Sequence, residues 1–397
     1  MTAYFTLLRG LLSDNRVFSH FTKINLILHI GFDAKRLFHN FTGLGNYSRT
    51  LVANLKQHYP ETRISLFTPK GKVVLRTEQF FDAVKYQLCE GGGSAWRTWS
   101  VYKDINQYNP DIFHGLSHQI PFSSDNLKCP TVVTMHDLIH RIRPKDFPSL
   151  DRMIYERKCK YACANASRII AISENTKSDI IKYYKVSEDK IDVVYQSCDP
   201  QFARPVTQGD IDEARLLFSL PKEYFIYVGS LVPRKNLLRI VEAINSMPEE
   251  DRIPLLVIGS GRKYMGRVVR YIQRNNLGQW VDFLGDVPFR LFPAIYHEAL
   301  SLVFPSLYEG FGLPIIEALS VGVPVITSGS SSLPEAGGEV STYVDPCSVD
   351  EIMQAMMQMR IDGKGSEECI AARKEHVQKF APESTASQLV RVYESLL

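Results

Sequence analysis

Two glutamates with seven residues between them frame the run Glu309-Gly-Phe-Gly-Leu-Pro-Ile-Ile-Glu317. An ionised carboxylate accepts hydrogen bonds from sugar and ribose hydroxyls, so a pair of them beside a phosphate site suits recognition of a polyol. The flanking residues supply such a site. The apolar run Leu302-Val-Phe-Pro-Ser306 reads as a short buried strand, and Pro314 suits the first turn of a helix continuing through Leu319. The segment is therefore strand, glycine turn, helix, with Glu309 and Gly312 in the turn and Glu317 one turn into the helix. Ligands of open α/β sheets bind at that carboxyl edge. A helix N-terminus there offers free N–H groups to an anion. Taken singly, Glu309 reads as a surface turn acid and Glu317 as an acid favoured by the helix dipole. The spacing, the glycines and the proline together favour binding.

A second cluster supplies positive charge. Gly229 ends an apolar run, and Arg234 and Lys235 follow at the expected start of a helix. A departing nucleoside diphosphate needs its charge neutralised, and fixed cations at a helix N-terminus do this without a metal. Arginine forks two phosphate oxygens, whereas lysine is a compact point charge. His136 follows Thr131-Val-Val-Thr-Met135, at another strand's ligand-facing edge, and Asp137 beside it suits orienting that turn. His114 and His118 follow a further strand and are candidates for the acceptor side. Gly43 and Gly45 sit in a turn ahead of a helix expected from Asn46. Their spacing is not the dinucleotide fingerprint, and a simple turn is the alternative. Gly259-Ser-Gly261 has the form of a tight turn near a nucleotide. No Asp-x-Asp with supporting ligands is present in the sequence, so neither a metal nor another cofactor is expected.

The Glu309 to Glu317 run resembles the signature of glycosyltransferase family 4, retaining nucleotide-sugar-dependent enzymes of the GT-B fold. Tyr227-Val-Gly-Ser-Leu-Val-Pro-Arg-Lys-Asn236 is similar to that family's diphosphate segment. Gly43-Leu-Gly-Asn-Tyr-Ser48 is similar to its N-terminal glycine loop, and His136-Asp137 to its active-site histidine. The resemblance runs from about residue 24 to residue 390. It implies that Glu317 accepts from the ribose hydroxyls of the donor and Glu309 from the sugar being moved. It implies that Gly229, Arg234, Lys235 and Gly312 hold the diphosphate. Gly43 and Gly45 would let backbone N–H groups approach the donor phosphate or the acceptor, and His136 would contact the transferred sugar. Many members carry an arginine directly after the strand-ending glycine, where this chain has Ser230. Either Arg234 takes that role from a shifted position or Lys235 acts with less help.

The chain's organisation agrees with that resemblance. At 397 residues, 45% hydrophobic and 22% charged, it is an ordinary globular chain long enough for two domains. Short apolar, β-branched runs alternate with amphipathic stretches in two blocks, which reads as α/β with parallel sheets covered on both faces. Two Rossmann-like domains follow, residues 24–203 and 215–380, joined by a polar linker around 199–209; the resemblance implies a cleft between them, with the first domain taking the acceptor and the second the nucleotide-sugar. In the GT-B fold the last helix, here 382–397, crosses back onto the first domain. Within 90–99, three glycines with Trp96 and Trp99 could stack on an acceptor, or form a solvent loop.

Composition narrows the setting. No apolar run reaches the ~18–20 residues of a membrane span. The first 23 residues lack a long apolar core and a small-residue cleavage site, so a secretory signal is not expected. A mis-called start, a mobile arm and a weak amphipathic helix are the readings open for them. Seven scattered cysteines suit neither a zinc site nor a disulfide framework and point to a reducing cytoplasm. Net charge is +3, with the positive excess in the first 200 residues. That basic half could attract an anionic membrane surface or a phosphate-bearing acceptor. No nucleic-acid module is present.

The expected protein is a metal-independent, retaining hexosyltransferase. It would move a sugar from GDP-mannose or a similar donor to a glycan or lipid-linked saccharide in surface polysaccharide assembly. A sugar-nucleotide epimerase on the same fold and a non-catalytic sugar-nucleotide-binding regulator are the alternatives.

Overall fold

The computed structural model describes residues 27–397 apart from 72, 73, 75, 94 and 262. The first 23 residues therefore lie outside the described residues. Two parallel sheets organise the chain. The first contains β1 (His29–Asp33), β2 (Arg63–Thr68), β3 (Gln87–Glu90), β4 (Ile112–Gly115), β5 (Thr131–Met135), β6 (Arg168–Ala171) and β7 (Ile191–Val193), in the order β3-β2-β1-β4-β5-β6-β7. The second contains β8 (Phe225–Val228), β9 (Leu255–Ile258), β10 (Val281–Leu284), β11 (Ser301–Phe304), β12 (Val325–Ser328) and β13 (Thr342–Val344), in the order β10-β9-β8-β11-β12-β13. Every residue of β1, β5, β8, β9, β11 and β12 is buried. That is the pattern of parallel strands covered on both faces. Each sheet reverses its winding once, between β1 and β4 in the first and between β8 and β11 in the second. These are the topological switch points at which such sheets bind ligands.

The helices follow from their apolar spacing. Leu237–Ser246 buries Leu237, Leu238, Ile240, Val241, Ala243 and Ile244, a stripe at helical period that packs on the second sheet. Glu174–Tyr184 starts where the Ser173 hydroxyl accepts from the Thr176 N–H, and stops at Lys185 in the left-handed region. The final helix, Pro382–Glu394, crosses back to pack on Gly43–His58 of the first half. Its Tyr393 hydroxyl lies 2.7 Å from His114 Nδ1, and His114 Nε2 lies 2.8 Å from Thr134 Oγ1. His114 is thereby locked inside the first half and does not line an acceptor surface, contrary to the expectation from sequence.

Other elements differ from the sequence reading. The apolar run Leu26 to Ile30 predicts a strand over those residues, but β1 lies three residues later, because pairing on both sides carries burial through to Asp33. The expected linker holds a 3-10 turn, Pro200–Ala203. It then enters helix Gln208–Phe218, opened by a capping box between Thr207 and Asp210. Trp96 is 7% exposed, with its ring against Gly91, so it is core; Trp99 is 53% exposed.

Candidate active site

A cavity of about 470 Å³ opens between the carboxyl edges of the two sheets. From the first half it is lined by Thr42, Gly43 and Leu44, by His118 after β4 and by His136 and Asp137 after β5. From the second half come Gly229 and Ser230 after β8, Gly259 and Ser260 after β9, and the turn from Glu309 to Pro314 after β11. Arg234 and Lys235, in a 3-10 turn (Pro233–Lys235) ahead of the helix, complete that wall.

Glu309, 9% exposed, is the centre of an ionic cluster. Its Oε1 accepts from Arg234 Nη1 at 2.7 Å, Lys235 Nζ at 3.1 Å and Ser306 Oγ at 2.9 Å. All three of these contacts fall on one oxygen; among the described residues Oε2 makes no hydrogen bond. Burial alone would raise this carboxyl, but the Lys235 and Arg234 charges outweigh it and hold it at about 2. Arg234 Nη1 also donates to the Tyr308 carbonyl at 2.9 Å, and Lys235 Nζ stands 4.6 Å from the centroid of the Phe304 ring. Arg234 thus stands beside Lys235 in the cavity wall. Gly229 is needed for close approach. Its φ is +149°, and a Cβ there would lie 3.1 Å from Lys235 Nζ. Gly312 caps helix Leu313–Ser320 at φ +159°, where a Cβ would meet Ala336 at 2.9 Å. In the first turn of that helix Pro314 has no N–H and Ile315 donates to the Gly312 carbonyl at 2.9 Å, which leaves the Leu313 N–H to open onto the cavity beside both cations.

His136 lines the cavity with both ring nitrogens engaged. Nε2 donates to the Leu116 carbonyl at 2.9 Å, and Nδ1 lies 3.3 Å from the Gln196 amide nitrogen. Burial pushes His136 and His118 down to about 3, so both are neutral near neutral pH. His118, itself at φ +57°, accepts from the His136 backbone N–H at 2.7 Å through its Nε2. It positions the turn that carries His136 and Asp137. Asp137 Oδ1 accepts from the Ile139 N–H at 3.0 Å, the turn-orienting role its place suggested.

Two candidates do not reach the cavity wall. Gly45 lies inside the first turn of helix Gly43–His58, which starts three residues before Asn46; a Cβ there would lie 1.6 Å from the Asn40 carbonyl oxygen. Its glycine serves helix packing, while Gly43 does line the cavity. Glu317 sits one turn behind the wall, where its Oε2 accepts from the Tyr296 hydroxyl at 2.9 Å. Burial pushes its carboxyl up to about 7, and the Asp199 charge adds to that, against Tyr296, Lys235 and Arg76. Gln196 and Tyr155 were not singled out from sequence; nothing in their local pattern marks them, and only the fold brings them to the cleft, which the Gly259-Ser-Gly261 turn also lines through Gly259 and Ser260.

The two halves are joined across this cleft. The Glu335 carboxylate accepts from the backbone N–H groups of Glu174 at 2.7 Å and Asn175 at 2.9 Å, the first residues of helix Glu174–Tyr184. Ser173 Oγ donates to the Gly310 carbonyl at 2.8 Å, and the Tyr308 hydroxyl donates to Asp179. Gly310 packs so tightly that a Cβ would lie 1.9 Å from the His136 carbonyl oxygen. Among the described residues no group of three or more His, Cys, Asp or Glu could hold a metal ion. No helix among them is long and apolar enough to cross a membrane.

Comparison with known proteins covers both halves. Residues 41–202 match the family described as Glycosyltransferase Family 4, and residues 210–376 match Glycosyl transferases group 1. The chain is 29% identical over 315 residues to the O-antigen chain mannosyltransferase B of Escherichia coli, covering 78% of this chain and 79% of that protein. It is 26% identical over 382 residues to the serotype-specific mannosyltransferase WbdA of the same organism, covering 88% of this chain but spanning about half of that longer relative, 46%. The fold is similar to that of Anabaena HepE crystallised with UDP-glucose. The TM-score is 0.74 at 16% identity, over 93% of this chain and all (100%) of that one.

Proposed function

We propose that this chain, which belongs to the glycosyltransferases whose family 4 model matches residues 41–202 and whose group 1 model matches residues 210–376, transfers mannose, with retention, from GDP-mannose or a close analogue to a saccharide acceptor. That acceptor belongs to surface polysaccharide assembly and is a glycan or lipid-linked saccharide. The named mannosyltransferase relatives support the sugar. The observation that carries the site assignment is the Glu309 cluster, in which two cations and a serine hydroxyl occupy Oε1 and leave Oε2 for a sugar hydroxyl.

The chemistry follows from that arrangement. Arg234, Lys235 and the N-terminus of helix Leu313–Ser320 hold the diphosphate and offset the charge that grows on it as the glycosidic C–O bond breaks. The acceptor hydroxyl attacks the anomeric carbon from the same face. Its proton passes to the departing phosphate oxygen, so configuration is kept and no protein nucleophile is needed. His136 has its ring nitrogens occupied, and it shapes the sugar pocket as a neutral wall against Tyr47, whose ring centroid lies 4.5 Å away. Glu317 sets the ribose end from behind the wall. The chain's own cations do the work a metal would do.

The first half takes the acceptor. Helix Ser149–Asn165 exposes Leu150, Met153 and Ile154 among Arg152, Arg157 and Lys160, a face suited to peripheral contact with an anionic membrane. Calorimetric titration with GDP, UDP, dTDP and ADP, followed by product analysis with the matching nucleotide-sugars in excess EDTA, tests the reading. GDP binding and mannosyl transfer that survives chelation are expected. Binding of none of the four, or strict dependence on a divalent ion, overturns it.

A further inference from the structure

A smaller cavity, of about 70 Å³, adjoins the cleft and shares His118 and Tyr155 with it. Its wall carries three cations, Arg36, Arg97 and Lys158, and no carboxylate. Three separate elements deliver them: helix Lys35–His39, the π-turn Trp96–Ser100 and helix Ser149–Asn165. A solvated charge run on one helix face would not converge in this way. Arg97 is oriented by Asp33, with Nε at 2.9 and 2.8 Å from its two oxygens and Nη2 at 2.7 Å, and its Nη1 donates to Gln119 at 3.2 Å.

Arg36 and Lys158 make no ion pair among the described residues. Arg36 Nη2 meets only the neutral Tyr155 hydroxyl, at 3.3 Å, and its buried Nε has no hydrogen-bond partner. Burial, and then the facing charges of Arg97, Lys35 and Arg36, lower Lys158; burial and the charges of Arg97 and Arg36 lower Lys35. The fold thus presses like charges together with a single acid among them, an arrangement that a bound anion would relieve. Guanidinium forks facing a polar pocket match the paired oxygens of a phosphate.

We propose that this cavity holds a phosphate group of the acceptor, gripped by Arg36, Arg97 and Lys158, so that the saccharide attached to it extends past Tyr155 and His118 into the cleft. The assignment rests on the reading of the first half as the acceptor side. The phosphate could be borne by a lipid or by a soluble sugar. Ile154 forms part of the same wall, with Leu150 and Met153 exposed on its helix, and an apolar chain on the phosphate would lie against them.

Calorimetry on the full chain with inorganic pyrophosphate tests the site, comparing wild type, R36Q/K158Q and K235Q. Wild type is expected to show two classes of site. K235Q should weaken one of them. R36Q/K158Q should weaken the other by about tenfold or more, while GDP affinity and melting temperature stay at wild-type values. The single half-buried change K158Q gives the same readout if the double variant folds poorly. Farnesyl diphosphate is the second probe. Tighter binding than pyrophosphate at the Arg36-dependent site identifies a lipid-borne phosphate, and equal binding identifies a soluble one; either upholds the cavity. A pyrophosphate titration of R36Q/K158Q that superimposes on wild type overturns it. If no nucleoside diphosphate binds wild type but the Arg36-dependent site persists, the donor reading fails and the phosphate cavity stands.

Discussion

Glu309 does two things with one carboxylate. Oε1 fixes two cations that would otherwise repel each other, and Oε2 is left for substrate. Glu309→Gln keeps the shape but removes the charge that strengthens a hydroxyl contact in the transition state. We expect kcat to fall by on the order of 100-fold with a much smaller change in GDP affinity. Equal losses in both would show that the residue serves only to organise the cations, and a melting curve separates either outcome from unfolding. Glu317 behaves oppositely: burial pushes its carboxyl up to about 7, and from behind the wall the ionised form steadies the ribose end as the acceptor of the Tyr296 hydroxyl rather than by touching ribose. Its charge is gained as pH rises through 7 and lost below it. GDP affinity should therefore weaken as pH falls from 8 to 6, and Glu317→Gln should flatten that limb; a limb that survives in the variant assigns the titration elsewhere.

At the level of elements, the two blocks of alternating strands and helices were legible because buried parallel strands leave unbroken apolar runs such as Thr131–Met135 and Ser301–Phe304. The strand-turn-helix around Glu309 was legible for the same reason, with Pro314 marking the helix start. β3 and β13 were not seen, since edge strands such as Gln87–Glu90 and Thr342–Val344 are partly exposed and carry polar residues. The helix start at Gly43 was hidden because glycine is a poor helix former, overridden here by packing on Asn40. Glu317 shows the limit at the site. Its place one helical turn on was read correctly, but its burial behind the wall against Tyr296 depends on helix Phe292–Glu298, which no local pattern links to it. The contact between His114 and Tyr393, 279 residues apart, is of the same kind. Tyr393→Phe leaves a fully buried imidazole nitrogen without its partner, and should destabilise the protein by about 1–3 kcal/mol. Chemical denaturation measures this, and an unchanged midpoint would mean that the closing helix is held by its apolar face alone.

Across the whole molecule, the positive excess lies in the first half, together with an exposed apolar group, Leu150, Met153 and Ile154. Of the basic groups there, Arg141 and Arg143 are neutralised by Glu156 and Asp146, while Arg152, Arg157 and Lys160 stand beside exposed Leu150, Met153 and Ile154. Docking of that helix on a membrane should require anionic lipid and weaken with salt, as exposed charges are screened over about 8 Å at physiological ionic strength. Vesicle sedimentation measures it, and a protein that stays in the supernatant with anionic vesicles at low salt has no such docking face. The same half also borrows a group from the other. The first two amides of helix Glu174–Tyr184 are satisfied by Glu335 across the cleft. Those two N–H groups keep their partner only while the halves are together, so their hydrogen–deuterium exchange reports separation of the halves residue by residue. In solution, exchange at Glu174 and Asn175 should slow when donor and acceptor are both bound, while Glu335→Gln should quicken it. The helix thus carries a built-in clock for how often the cleft opens.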